Sequence, residues 1–149
     1  MNEIQAALRV VLANTFVMYF KTHSYHWNVE GVLFSLYHDF FGDLYSELHG
    51  AVDDIAEHIR KVDGYAPISI SNLLDAGTLP EDMVKPVDVR GMLNNLLTAN
   101  DEVMESLNKS FAVAESIGNQ GLMDFLAGRI DTHSKHRWVI RSSLVGIGA

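Results

Sequence analysis

All three prolines of the 149-residue chain, Pro67, Pro80 and Pro86, fall within residues 67–86. Proline lacks an amide hydrogen and clashes with the preceding turn, so it is hostile to helix interiors, and the arms on either side of this window are free to form long helices. In the first arm Ile4, Leu8, Val11, Thr15, Met18, Thr22 and His26 recur at steps of three or four, the period of a helix with one buried stripe. Asn2 is its predicted N-cap, and Asn28 to Gly31 supplies turn chemistry. A second helical pattern runs from about Leu33 to Lys61 and ends at Gly64, which suits a left-handed C-cap. A third starts from an Asp88 N-cap, carries Val89, Leu93, Leu96, Val103, Leu107, Phe111 and Ala114 on one face, and stops at Gly118. A fourth, from about Asn119, carries Leu122, Leu126, Ile130, His133, Arg137, Ile140 and Leu144 before fraying into a small-residue tail.

Nothing alternates with period two for long enough to build a sheet, so the pattern predicts an all-α antiparallel four-helix bundle. Between residues 63 and 87 the periodicity breaks, except at Ser71 to Gly77, which reads as a short capped helix inside a long connection. Such a connection is needed when consecutive long helices run parallel, because a tight turn joins only antiparallel ones. The length and the 48% hydrophobic content suit one core, predicting a single domain over residues 1–149.

The chain has no cysteine. That excludes a disulfide framework, a thiolate nucleophile and any sulfur-held metal, so a metal would be bound by nitrogen and oxygen ligands; it also fits a reducing, cytoplasmic setting. A formal net charge of −8 argues against a sequence-independent grip on nucleic acid. No apolar run reaches the roughly 18 residues of a membrane span, and the apolar stretch from Val10 to Phe20 lacks the flanks of a signal peptide. The expectation is a complete soluble protein.

On a helical wheel of the second helix with His38 at zero, Phe40, Leu44, Leu48, Ala51, Val52, Ile55 and Ile59 fall at roughly 200° to 320°, the core stripe. Asp43, Glu47 and Asp54 gather at about 140° to 180°, while His38, Asp53 and Glu57 lie between about 0° and 100°. Asp53 and Glu57 are one turn apart and can address one locus. His38 and Asp53 are separated by about 22 Å of axial rise, so one chain cannot bring them to one metal. If they share a site, the second helix must meet its own copy in a twofold mate, antiparallel, which creates two such sites. A bundle that holds two irons inside one subunit uses two Glu-x-x-His motifs, and this sequence contains none.

His26-Trp-Asn-Val-Glu-Gly31, Phe34, His38 and Asp53-Asp-Ile-Ala-Glu57, with eleven residues between His26 and His38, resemble the signature of the Dps-type miniferritins of the ferritin-like superfamily. The similarity covers most of the chain, including the short helix in the crossover between the second and third long helices and the run from Asp124 to His133 leading to Trp138. The resemblance implies a dodecameric, cytoplasmic shell that oxidises Fe(II) with hydrogen peroxide or O2 at twofold interfaces, stores the ferric product inside and protects against oxidative damage. It implies an oxidoreductase acting on metal ions, with His26 and His38 as iron ligands from one subunit, Asp53 and Glu57 from its mate, and zinc as an alternative occupant. Trp27, beside the first ligand, would be the sink for stray oxidising equivalents. The acidic stripe of Asp43, Glu47 and Asp54 would face the cavity, and Asp124 would line an entry pore.

Two departures qualify the resemblance. Gly42 stands four residues after His38, where family members commonly carry Asp or Glu, which implies one firm metal position per half-site and a weaker second one. The Lys-rich flexible terminus of DNA-binding members is missing, and a shell of copies carrying −8 each would repel phosphate, so direct DNA binding is not expected. The competing function is a non-catalytic helical cage or structural oligomer that sequesters a divalent metal without consuming oxidant. His49, His58, His133 and His136 read as structural or solvated histidines, as does His23, with a supporting role behind His26 as its alternative; Trp138 is a packing anchor or an oxidation sink in equal measure.

Overall fold

Every long stretch of apolar period three to four forms a helix, and the computed structural model describes them within residues 1–147. The order is α1 (Glu3–Asn28), α2 (Phe34–Lys61), α3 (Ile70–Asp75), α4 (Val89–Ser116) and α5 (Gln120–Leu144), with no strand among the described residues. The four long helices form the predicted bundle, and α3 is the predicted short helix in the crossover, displaced slightly from residues 71–77 and capped by Ser69 onto the Asn72 amide. Gly148 and Ala149, at the end of the predicted tail, lie outside the described residues.

Local chemistry sets the helix ends. Asn2 caps α1 in a reciprocal box with Gln5, Asp88 accepts from the Gly91 amide and Asn119 from the Leu122 amide, each satisfying an orphan amide of a first turn. Gly118 is left-handed at φ +68°, as a C-terminal stop requires. At the end of α2 the expected left-handed residue is displaced by one: it is Asp63, at φ +65°, and not Gly64. Gly64 is a glycine for space, since a Cβ there would lie 3.0 Å from the Gln5 and Ile59 side chains.

Gln5 beside Val62 and His26 beside His38 make α1 and α2 antiparallel. Tyr25 meets Asn95, while Asn14 reaches Glu102 through Thr78, so α4 also runs antiparallel to α1 and hence parallel to α2. That is the reason for the crossover. Buried Asn14 accepts from the Thr78 and Leu79 amides, and buried Lys21 pairs with Asp82 at 2.6 Å, whose carboxylate also takes the Tyr25 hydroxyl. The predicted single stripe on α1 is incomplete. With α2, α4 and α3 around it, α1 also buries Leu12, Ala13, Asn14, Val17, Lys21 and Tyr25, while His26 stays half-buried. On α2 the core side is as expected, with Tyr37 and Phe41 added and Phe40 and Val52 at its margin.

Candidate metal centre

The five-residue link from Val29 to Leu33, turned by Gly31 at φ +114°, sets the last turn of α1 against the first turns of α2. There His26 Nδ1 donates to the His38 carbonyl at 2.7 Å, and His38 Nδ1 donates to the His26 carbonyl at 2.8 Å. The imidazoles stack 3.8 Å apart at 18°, and Phe34 stacks on His38 at 4.9 Å. A carbonyl oxygen only accepts, so both rings carry their proton on Nδ1 and present Nε2 as a free lone pair. This is the arrangement that metal-ligating histidines use, the far nitrogen being oriented by a backbone carbonyl.

Gly42 belongs to the same construction. A Cβ at position 42 would lie 3.2 Å from His26 Cε1 and 3.3 Å from His26 Nδ1. The absent side chain gives His26 its seat on α2, next to the carbonyl of His38 one turn earlier. The departure at position 42 therefore has a packing role that its sequence context alone did not disclose.

Asp53 and Glu57 are exposed on the same long face of α2, with the helix unbroken between them and His38. Among the described residues of one chain, no three His, Asp or Glu side chains gather around a common metal position. Of the predicted set, one chain unites His26 with His38 and holds Asp53 with Glu57, about 22 Å away along the helix.

Trp27 is 57% exposed and packs against His23 at 4.1 Å and Phe20 at 6.1 Å. His23 stacks flat on Tyr45 at 3.8 Å, and its Nδ1 hydrogen-bonds the Tyr19 hydroxyl at 2.9 Å. Burial, then the neighbouring His26 and His49, hold the His23 pKa below its usual value. Tyr45 in turn meets His26 edge-on at 5.2 Å, so an aromatic column runs behind the paired imidazoles. Tyr45 was missed from the sequence, although its place seven residues after His38 put it on the same face.

The acidic stripe divides. Asp43 and Asp54 are exposed, but Glu47 is bound to Arg129 through both carboxylate oxygens, at 2.5 and 3.1 Å, and to His136 Nε2 at 2.7 Å. Burial pushes the Glu47 carboxyl up, yet the His136 hydrogen bond and the Arg129 contacts outweigh it and bring the pKa down to about 2. Glu47 is thus the counterion of a buried arginine. Fully buried His133 donates from Nδ1 to Asn100 Oδ1 at 2.7 Å and accepts from Arg129 Nη2 at 3.1 Å on Nε2. Burial first, then the Arg129 and His136 charges, lower its pKa to about 3. His58 stacks on Phe125 at 3.9 Å, and Asp124 and Trp138 are exposed on α5.

A profile described as the ferritin-like domain matches residues 5–147. An "uncharacterized low temperature-induced protein all0458" of Nostoc sp. is 30% identical over 136 residues, covering 91% of this chain and 76% of that protein. The "DNA protection during starvation protein 2" of Bacillus anthracis is 25% identical over 143 residues, covering 96% and 97%. Among solved structures, the Dps protein from Vibrio cholerae O1, described as "a member of a broad superfamily of ferritin-like diiron-carboxylate proteins", superposes with a TM-score of 0.90 at 26% identity over 95% of this chain and 89% of that one.

Proposed function

Because the chain belongs to the ferritin-like family, on its Dps branch, we propose that it is a miniferritin subunit. It oxidises Fe(II) at centres shared between two subunits and stores the ferric product inside a dodecameric, cytoplasmic shell. The observation that carries this is the reciprocal His26–His38 lock, which frees two Nε2 lone pairs, together with the unpartnered carboxylates of Asp53 and Glu57 at the far end of the same face.

An antiparallel α2 pair that sets His38 against the partner subunit's Asp53 and Glu57 has its twofold axis between residues 45 and 48. A second feature of the sequence agrees with that register. Gly42 and Ser46 fall at about 40° and 80° on the wheel, in the ligand sector, and Gly50 at its edge at about 120°, so the three centre on Ser46. Small residues there let two backbones approach closely, and the symmetric contact forms two identical half-sites.

Two imidazoles and two carboxylates suit iron in both oxidation states, the carboxylates offsetting the charge that grows on oxidation. The fixed Nδ1 protons mean that His26 and His38 need no change of tautomer to turn Nε2 toward a metal. Two Fe(II) each give one electron to one hydrogen peroxide, whose O–O bond breaks to yield two hydroxides and two Fe(III). Consuming iron and peroxide together prevents the formation of hydroxyl radical, and this is how the protein protects, without gripping DNA. Zinc, with the same ligand preferences, occupies the centre as a redox-inert competitor.

The test is anaerobic Fe(II) loading followed by peroxide or air, read by ferric absorbance, in wild type, His38→Ala, Asp53→Ala and their reassembled equimolar mixture. Both variants are expected to lose fast oxidation. A mixed dimer combines both lesions in one half-site and leaves the other intact, so random reassembly restores about a quarter of the sites. Wild type that binds iron without consuming oxidant would instead be a passive metal store.

A further inference from the structure

Among the described residues, which include all seven histidines, His49 alone makes no hydrogen bond. The other six use at least one ring nitrogen: His23 with Tyr19, His26 and His38 with each other's carbonyls, His58 with the Asp54 carbonyl, His133 with Asn100 and Arg129, and His136 with Glu47. His49 is exposed, and its contact is with the Tyr19 ring at 4.9 Å, face to tilted face, which leaves both nitrogens free. An exposed, unbonded histidine would ordinarily be unremarkable, but its position is not.

On α2, His49 lies at about 20° on the wheel, between His38 at zero and Asp53 at about 60°. It is one turn before Asp53 and two before Glu57, so the three side chains form one row at i, i+4 and i+8. In the register described above, Gly42 falls opposite residues 49–53 of the partner subunit, a span that begins at His49 and ends at Asp53. Gly42 offers no side chain to obstruct that approach, and the seat it makes is taken by the His26 ring on the same chain.

We infer that His49 is a further metal ligand of the shared centre, contributed by the same subunit as Asp53 and Glu57 and approaching beside the partner subunit's Gly42. It forms with Asp53 the second metal position of each half-site, where Gly42 provides no donor. The inference rests on the intersubunit reading and replaces the expectation of a weak second position with a nitrogen-rich pair of positions suited to Fe(II), Co(II) or Zn(II).

The probe is Co(II), titrated anaerobically into the assembled apo-protein and followed by its ligand-field absorption, with bound metal counted after desalting. Wild type is expected to take two Co(II) per half-site. His49→Ala and His49→Gln should weaken the second equivalent by about tenfold or more, leave the first within about threefold, and change the spectrum of the second. His38→Ala should weaken the first, and Asp53→Ala both. If His49→Ala and His49→Gln keep wild-type stoichiometry and spectrum while His38→Ala and Asp53→Ala lose metal, His49 is no ligand and the shared centre stands. If His38→Ala and Asp53→Ala also bind Co(II) as wild type does, the shared centre itself fails, and the inference with it.

Discussion

Replacing Glu47 with glutamine separates its two possible roles, buried counterion or cavity-facing iron ligand. The carboxyl titrates at about 2 instead of 4.5, and at about 1.4 kcal/mol per pH unit this corresponds to about 3 kcal/mol of stabilisation. A third of the Glu47 side chain remains in water, so screening lowers the figure to about 1–3 kcal/mol. The variant also strands Arg129, whose side chain is 10% exposed, and breaking a buried pair on one side costs about 3–5 kcal/mol. Glutamine keeps one acceptor oxygen for the guanidinium, which places the expected loss at about 3 kcal/mol, or roughly 6–12 °C in a domain of this size. Because the folded carboxyl titrates below the unfolded one, its contribution is complete above about pH 4.5 and is lost as the pH falls toward 2. Thermal unfolding of apo-protein should therefore show the variant less stable at neutral pH and flatter across that acid window. A double Glu47→Leu, Arg129→Met protein should recover only part of the loss, since apolar replacement removes both desolvation costs but leaves buried His133 Nε2 without its donor. A Glu47→Gln protein with unchanged stability and pH profile but slower iron deposition would refute the counterion assignment and restore Glu47 to an iron-gathering stripe.

Three further outcomes follow from the same geometry. His133, lowered to about 3 from 6.5, is neutral in the fold and protonates on unfolding, so stability is full above about pH 6.5 and falls as the pH drops toward 3; His133→Gln should flatten the upper part of that slope, measured by acid titration of unfolding. Gly42→Ala puts a Cβ 3.2 Å from His26 Cε1, which a shift of tenths of an ångström relieves; the helix gains up to about 1 kcal/mol of propensity, while Zn(II) affinity by calorimetry falls less than about tenfold. Gly42→Val, branched at Cβ, should break the 2.7 Å His26–His38 contact and lose Zn(II) affinity by more than that; wild-type affinity in the valine variant would show that the His26 seat is dispensable. Trp27→Phe should leave the rate of ferric formation within about twofold and raise the spin-trap signal for hydroxyl radical, and an unchanged signal would remove Trp27 as a sink.

What was legible in the sequence was what depends on nearby residues. Asn2, Asp88 and Asn119 cap helices because their side chains reach amides three residues on, and the apolar period on α2, α4 and α5 survives because each shows water one face. On α1 the period is blurred, since Asn14, Lys21 and Tyr25, off the predicted stripe, are also buried by neighbours that come from other parts of the chain. The ion pairing of Glu47 was not legible for the same reason: its counterion lies 82 residues away on α5, and no helical wheel contains it. The nearness of His26 to His38 could be read from spacing, but the fixed Nδ1 protons could not, because they depend on which carbonyl each ring meets. Gly64 misled because a left-handed stop and a crowded approach both select glycine, and here crowding is the cause.

On the intersubunit reading, the distribution of donors along α2 ties redox chemistry to assembly. An isolated chain offers the imidazoles of His26 and His38 at one end of the helix, and the carboxylates of Asp53 and Glu57, with His49 one turn before them, about 22 Å away. Neither half binds as both do together, so an unassembled subunit does not present iron to peroxide outside the shell. Gly50→Arg tests this without touching a proposed ligand. A Cβ at Gly50 meets nothing within 4 Å, and arginine is the better helix former, so the fold of the chain is unaffected; at the twofold, however, the guanidinium enters the face where two α2 helices meet. The expected protein is helical by circular dichroism, dissociated in sedimentation and slow to oxidise Fe(II), with oxidation rising at concentrations that restore the dimer. Dissociated Gly50→Arg chains that oxidise Fe(II) at the wild-type rate would show that each subunit carries a complete centre of its own, and the donors on α2 would then need another explanation.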